Sequence, residues 1–542
     1  MKLTEPNSVP VNPQGTQILL FLFLSVRLTA SCNDERGKRE VPIFLKSGLF
    51  TRQSSYSEPI GREGPKTSPG PDFENFDGAS PMSPLSPAYF AFAAITVILY
   101  WACYRWKLAR LSILLIANIF FLARFAWFYP ILLFTAASID FLVGLDLQRI
   151  PRERTTPRRA LVSVSIILNV GLLASTKLIP VAMGELYRWV FPLSLSFYCF
   201  QSMTYTIDLY RGTRPGTRSY LTHLTSASLF TVIVAGPINR ISDLIKQLQQ
   251  PFTLTSTQGG RAFLLISSGL VKKLLIADFL SNNVANRIFD TPTLYSGAEV
   301  LIGVYAYALQ IYFDFSGYTD IAMGLCQLLG LSVPDNFNRP YQSINIADFW
   351  RRWHITFSNW LRDYVYFSLP NAARWKGAGY VYPIIVFLLG GLWHGIGWPF
   401  VVWGLLHGVG LSVLRTYQTL RQKIQGKRTP TQWGRYLAIF VTFHFVCLTW
   451  IFFRSPDVAT AFAILGRLGS LTFTVDNISL PMIGVMLIGV ALHAIPPKWF
   501  DRTVETFGRA PFVLQGAGLA ATVLLIELLA GRGSTSFVYS NF

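Results

Sequence analysis

The sequence predicts an all-α protein that crosses a lipid bilayer many times, and three observations predict it. Of 542 residues, 51% are hydrophobic, 15% aromatic and only 14% charged, whereas about 25% of an average soluble protein is charged. Several apolar runs approach or reach the roughly 20 residues that a helix needs to span hydrocarbon. Lys and Arg gather between those runs, as they do in cytoplasmic loops. The net charge of +19 therefore needs no nucleic acid, and no stretch resembles a nucleic-acid module.

Residues 1–85 are expected to form an N-terminal extension, and residues 86–542 the membrane domain. Within the extension, "QILLFLFLSVRLTASC" (17–32) carries an apolar run the size of a signal-peptide core. The stretch 51–86 is rich in Ser, Pro and Gly. Too little of it is apolar to offset its ordering entropy, so it is expected to be disordered.

From Pro87 onward the clearest spans are 87–104, most of 111–145, 161–176, 436–453 and 511–530. Further candidates are 186–205, 222–238, 260–281, 297–327, 379–414 and 478–495. Together they suggest roughly 11–13 spans, with re-entrant segments blurring the count. Charge bias sets a trial orientation: "RWKLAR" (105–110), "LQRIPRERTTPRR" (147–159), 415–435 and 497–509 lie on the cytoplasmic side. The tail "GRGSTSFVYSNF" then faces outward.

Several chemistries find no support. The five cysteines show no metal-ligand spacing. There is no GxGxxG or GxxxxGK[ST] loop for nucleotides and no GxSxG nucleophile turn.

Two segments carry the candidate chemistry. In "DFWRRWHITFSNWLRDYVYF" (348–367), Trp350, Trp353, Phe357, Trp360, Tyr364 and Phe367 recur every three or four residues. Read as one helix, they form an aromatic stripe suited to the membrane interface, with arginines reaching water or phosphate and His354 at the border. The second segment, "YPIIVFLLGGLWHGIGWPFVVWGLLHGVGL" (382–411), places His394 among apolar residues and glycines. An ionisable group at membrane depth is costly, and burial favours a neutral imidazole able to accept a proton. Acid–base work and polar packing between helices both fit the two histidines at this point.

The chain resembles the membrane-bound O-acyltransferase (MBOAT) family, in particular its bacterial alginate O-acetylase branch with relatives acting on peptidoglycan and teichoic acid. The resemblance rests on "PLSLSFYCFQSMTYTIDLYRG" (192–212), "FTVIVAGPINR" (230–240) and "GLVKKLLIADFLSNNVANRIFD" (269–290). It continues through the long stretch 309–367 and "GGLWHGIGWPFVVWGLLHG" (390–408). It implies a bundle of membrane helices with interfacial and re-entrant helices around a central funnel, and a thin floor near 348–367 between cytoplasm and active site. It implies that His394 is the essential active-site histidine and His354 the second functional one. The donor would be acetyl-CoA or another acyl thioester. The acceptor would be an exported polysaccharide of the alginate type, with peptidoglycan O-acetylation or teichoic acid D-alanylation as alternatives. A transporter or scaffold is the alternative of another class.

Such chemistry needs a base for the attacking hydroxyl and donors for the oxyanion that develops. His354, Asn338 and Tyr318 are candidate donors. The C-terminal "SFVYSNF" resembles endings in this branch whose tyrosine is proposed to carry the acyl group, which makes Tyr539 a candidate nucleophile. An extracytoplasmic SGNH-type acyltransferase would then be the partner. Polar residues of "YFDFSGYTD" (312–320) either line the cavity or satisfy one another between helices. His407 is expected to pack between helices, and His223 and His493 to sit near span ends and snorkel to the interface. His444 and Glu527 are intramembrane ionisable groups.

Overall fold

A computed structural model describes residues 85–183, 195–250, 253–370, 374–425 and 431–529. The N-terminal extension and Tyr539 lie outside the described residues, as does the side chain of Glu527. Among the described residues the regular elements are all helical. In order they are α1 (Pro87–Ala102), α2 (Lys107–Ala123), α3 (Tyr129–Arg149), α4 (Thr155–Met183), α5 (Ser196–Arg211), α6 (Tyr220–Ala227), α7 (Ile241–Gln249) and α8 (Ser256–Leu270). A run through two π-helical stretches, Val271–Ala277 and Ser281–Ala285, leads to the long central α9 (Gly297–Leu328). Two short helices follow, α10 (Ile346–Trp350) and α11 (Ile355–Trp360). The chain continues with α12 (Ala378–His394), α13 (Trp398–Gln425), α14 (Gln432–Arg454), α15 (Val458–Gly469), α16 (Leu480–Ala494), α17 (Pro497–Arg509) and α18 (Phe512–Leu529).

Local signals set the boundaries. Thr255 with Gln258 and Ser296 with Glu299 form capping boxes that start α8 and α9. Gly212, left-handed at φ 68°, ends α5.

Among the described residues, α3, Thr155–Leu178 of α4, α9, Trp398–Ile424 of α13, and α14 are long and apolar enough to cross a bilayer. The pair α16–α17, bent by 86°, makes a sixth if it is one broken span. Two other apolar stretches are not straight spans. Residues 222–238 become α6 and a run of turns, and 260–281 becomes α8 with a π-helical continuation. Apolar composition marks membrane depth here, while irregular backbone at that depth is tolerated because it is buried in protein.

The interior is held by polar contacts as well as by packing. Asp140 on α3 accepts hydrogen bonds from Ser165 (2.6 Å) and Asn169 (3.0 Å) on α4 and from Ser202 (2.5 Å) on α5. The glycines of α12 and α13 bring main chain against main chain. A Cβ at Gly391 would collide with the Phe400 carbonyl, one at Gly404 with the Phe387 carbonyl, and one at Gly408 with the Ile384 backbone. Small residues permitting such approach are the usual basis of helix pairing in lipid.

The four basic segments lie towards one end of the bundle. Arg152 reaches Gly212 O, Arg214 pairs with Asp243, and Gln247 donates to Ser332 O. Trp101 donates to Leu328 O, and Arg261 pairs with Asp501 on α17. Arg415 lies over Tyr380 near the start of α12. Charge bias predicts that this end faces the cytoplasm.

In the π-helical run, Lys273 is fully buried between Asp278 (2.7 Å) and Asp314 (2.5 Å), while Lys272 pairs with Asp320 (2.6 Å) at a partly open position. Asp314 and Asp320 thus serve helix pairing, one of the two roles expected of the polar residues in 312–320. Removing one partner of a buried pair leaves uncompensated charge, at a cost of about 3–5 kcal/mol. Lys273→Ala is expected to lower thermal stability in detergent by far more than Lys272→Ala, measured as the shift in melting temperature.

Candidate active site

Residues 348–367 do not form one interfacial helix. Ile355 N donates to Asn336 O (2.9 Å) and Asn338 N donates to Arg352 O (2.9 Å), so two main-chain groups pair with the 336–338 segment instead of continuing a helix. The break falls at His354, which is left-handed (φ 41°, ψ 54°). The aromatic stripe turns inward: Trp350, Trp353, Phe357, Trp360 and Tyr364 are buried, and of the six only Phe367 is exposed, at 54%. The interfacial expectation fails because helical periodicity alone does not say which medium an apolar stripe faces.

His354 is 1% exposed. Its ring stacks on Phe357 (centroids 5.0 Å) and Phe197 (6.2 Å) and meets the edge of Phe315 (4.7 Å). Its Nδ1 lies 3.0 Å from Asn336 Oδ1.

His394 is the last residue of α12 and is 4% exposed. Its ring packs on Trp393 (4.3 Å), Phe453 (4.8 Å) and Trp403 (5.2 Å). Trp393 in turn packs on Phe357 (4.5 Å), so Phe357 and Trp393 link the two imidazoles through a continuous line of ring contacts along one wall. The 17 residues of α12 cover roughly 25 Å. Their first turn lies at the basic end, and Phe453, beside His394, lies near the other end of α14. His394 therefore sits well away from the basic mouth.

A cavity of about 530 Å³ opens at the basic end, a size typical of small-molecule sites, which span roughly 300–1,000 Å³. Arg240, Lys246 and Arg362 line it together with Asp243 and Asp363, and its inner wall includes Thr204, Ile238 and Thr356. Arg240 pairs with Asp363 (2.5 Å) and Asp208 (3.6 Å), and its guanidinium covers the Tyr364 ring. Thr356 stands between cavity and histidine: its hydroxyl accepts from Ile238 N (3.0 Å) and donates to Asn336 Oδ1 (2.9 Å).

Of the candidate oxyanion donors, only His354 is in the site. Asn338 is exposed, and its main chain, not its side chain, is the part engaged. Tyr318 lies over Lys273 instead (5.8 Å). Asn336, not Asn338, lies beside His354, and nothing in the spacing of "PDNFNRPY" (334–341) distinguishes the two asparagines. His407 packs between helices as expected, accepting from Trp350 Nε1 (3.3 Å). His223 and His493 depart from expectation: both are buried, the first against Ala137 O (3.1 Å) and the second accepting from Tyr341 N (3.2 Å). His444 pairs with Tyr305 (2.7 Å).

Comparison with known proteins gives the family. The model of the MBOAT, membrane-bound O-acyltransferase family, matches residues 210–453, a window that contains both His354 and His394. The peptidoglycan O-acetyltransferase of Helicobacter pylori is 32% identical over 388 residues, 65% of this chain and 72% of that protein. The chain belongs to the membrane-bound O-acyltransferase family. This acyltransferase is also similar to the probable alginate O-acetylase AlgI of Azotobacter vinelandii, at 38% identity over 280 residues, 52% of this chain and 54% of the relative. The teichoic acid D-alanyltransferase of Bacillus subtilis is 31% identical over 241 residues, 41% of this chain and 58% of that protein. The matched region thus spans little more than half of the Azotobacter and Bacillus relatives.

In this acyltransferase the buried aromatic wall makes a direct prediction. Phe357→Ala is expected to cost about 3–5 kcal/mol, the usual range for a core phenylalanine, whereas Phe367→Ala is expected to be nearly neutral. Equal losses in detergent melting temperature would mean that both rings are anchors of the same kind.

Proposed function

We propose that the protein moves an acetyl group from cytoplasmic acetyl-CoA across the plasma membrane for O-acetylation of an exported polysaccharide of the alginate type. The observation that carries this reading is the association of His354 and His394 in one aromatic-walled site, with a cavity of about 530 Å³ approaching it from the basic end. The alginate O-acetylase named among the relatives supports a polysaccharide acceptor.

In the proposed reaction a hydroxyl attacks the thioester carbonyl while His394 takes its proton. The C–O bond forms, the C–S bond breaks, and the departing thiolate receives the proton back from His394. General base assistance of this kind contributes ~10²–10⁴-fold. The attacking hydroxyl belongs to Tyr539, outside the described residues, and the acyl-tyrosine passes its group to an SGNH-type acyltransferase on the far side. The placement of His394 away from the basic mouth supports transfer in that direction. Peptidoglycan O-acetylation is the second reading, favoured by the match over 72% of the Helicobacter protein.

The test offers labelled acetyl-CoA to the purified protein. Label is expected on Tyr539, with His394→Ala reducing its formation by about 10²-fold or more. Tyr539→Phe should abolish glycan acetylation while the protein stays folded in the membrane. Undiminished product from either variant would overturn the corresponding step.

A further inference from the structure

The environment of His354 assigns its protonation state, and the residue that does so is Asn336. Asn336 is 1% exposed, on the segment between α9 and α10. Its Oδ1 accepts from Thr356 N (3.2 Å) and Thr356 Oγ1 (2.9 Å) and lies 3.0 Å from His354 Nδ1. The amide orientation is fixed by chemistry: a backbone N–H only donates, so the atom facing Thr356 N is the carbonyl oxygen. The Thr356 hydroxyl accepts from Ile238 N, which directs its own proton to the same oxygen. Facing this acceptor at 3.0 Å, His354 Nδ1 carries the proton. In the neutral ring the lone pair then belongs to Nε2. The main-chain carbonyl of Asn336 accepts from Ile355 N and so holds the main chain in the left-handed turn that aims the ring.

We propose that Asn336 is a positioning residue for the acyl transfer: it holds His354 as the Nδ1–H tautomer and presents Nε2 as a hydrogen-bond acceptor. His354 then receives a hydrogen bond at Nε2 in the reaction and does not donate one to the oxyanion. This rests on the reading of His354 as a site residue. Among the described residues the groups packed on the ring are Phe197, Phe315 and Phe357, with the titratable His394 beyond Phe357 and Trp393.

The experiment measures steady-state transfer from acetyl-CoA by the full-length protein in detergent or vesicles, with melting temperatures recorded alongside. Asn336→Ala is expected to lower kcat by about 10–100-fold, as loss of a residue orienting a functional histidine typically does, with KM for acetyl-CoA roughly unchanged. Combined with His354→Ala it should add little further loss, because the two act as one unit. Asn336→Asp keeps the accepting oxygen and therefore the fold. Its carboxylate favours the imidazolium, so the acidic limb of the rate profile should move to higher pH by about one unit or more, with activity recovered above it. A limb set by His394 would stay in place.

Full activity of Asn336→Ala beside an inactive His354→Ala would overturn this inference alone. So would additive losses in the double variant, or an Asn336→Asp protein whose acidic limb is unmoved or which stays inactive at high pH. Should Asn336→Ala fail to fold, the Asn336→Asp profile decides. Full activity of His354→Ala would overturn the reading of the site itself.

Discussion

Two main-chain hydrogen bonds hold the site together, from Ile355 N to Asn336 O and from Asn338 N to Arg352 O. They divert residues 351–355 from helical geometry and force His354 into a left-handed conformation, which costs a non-glycine residue about 1–2 kcal/mol. That cost is met by the surrounding hydrogen bonds and by the aromatic packing of Phe197, Phe315 and Phe357. Without the diversion the aromatic stripe would run straight, and neither the wall beside Trp393 nor the cavity lining at Thr356 would exist in this form.

Much of the architecture was legible in the sequence because it follows from composition and charge. Apolar runs marked membrane depth, and the basic segments at 105–110, 147–159, 415–435 and 497–509 foretold one common end, where the structure gathers them. The apolar setting of His394 was legible for the same reason. Straightness was not. Residues 222–238 and 260–281 have the composition of spans, yet their backbone departs from a plain helix because other helices cover it. Hydropathy records the medium a segment lies in, not the path it takes there.

The same limit explains the site's second histidine. Its candidacy rests on resemblance, and its surroundings were misread, since the period of Trp350, Trp353, Phe357 and Trp360 is equally that of an interfacial helix and of a buried one. Asn336 escaped notice because its role comes from long-range pairing with residues almost twenty positions away. Local patterns carry no record of such a partner. His223 and His493 were misplaced for a related reason: nearness to the end of an apolar run does not give nearness to water when another helix lies alongside.

The glycine contacts of α12 and α13 have a mechanical consequence. Where two helices meet backbone to backbone, no side-chain layer remains between them to slip or repack, so the hairpin behaves as a single lever. His394 sits at its tip, and the indole of Trp403 on the facing helix lies 5.2 Å from its ring. Any tilt of this hairpin would carry imidazole and indole together, preserving their mutual geometry while changing their distance from Phe357 and everything beyond it.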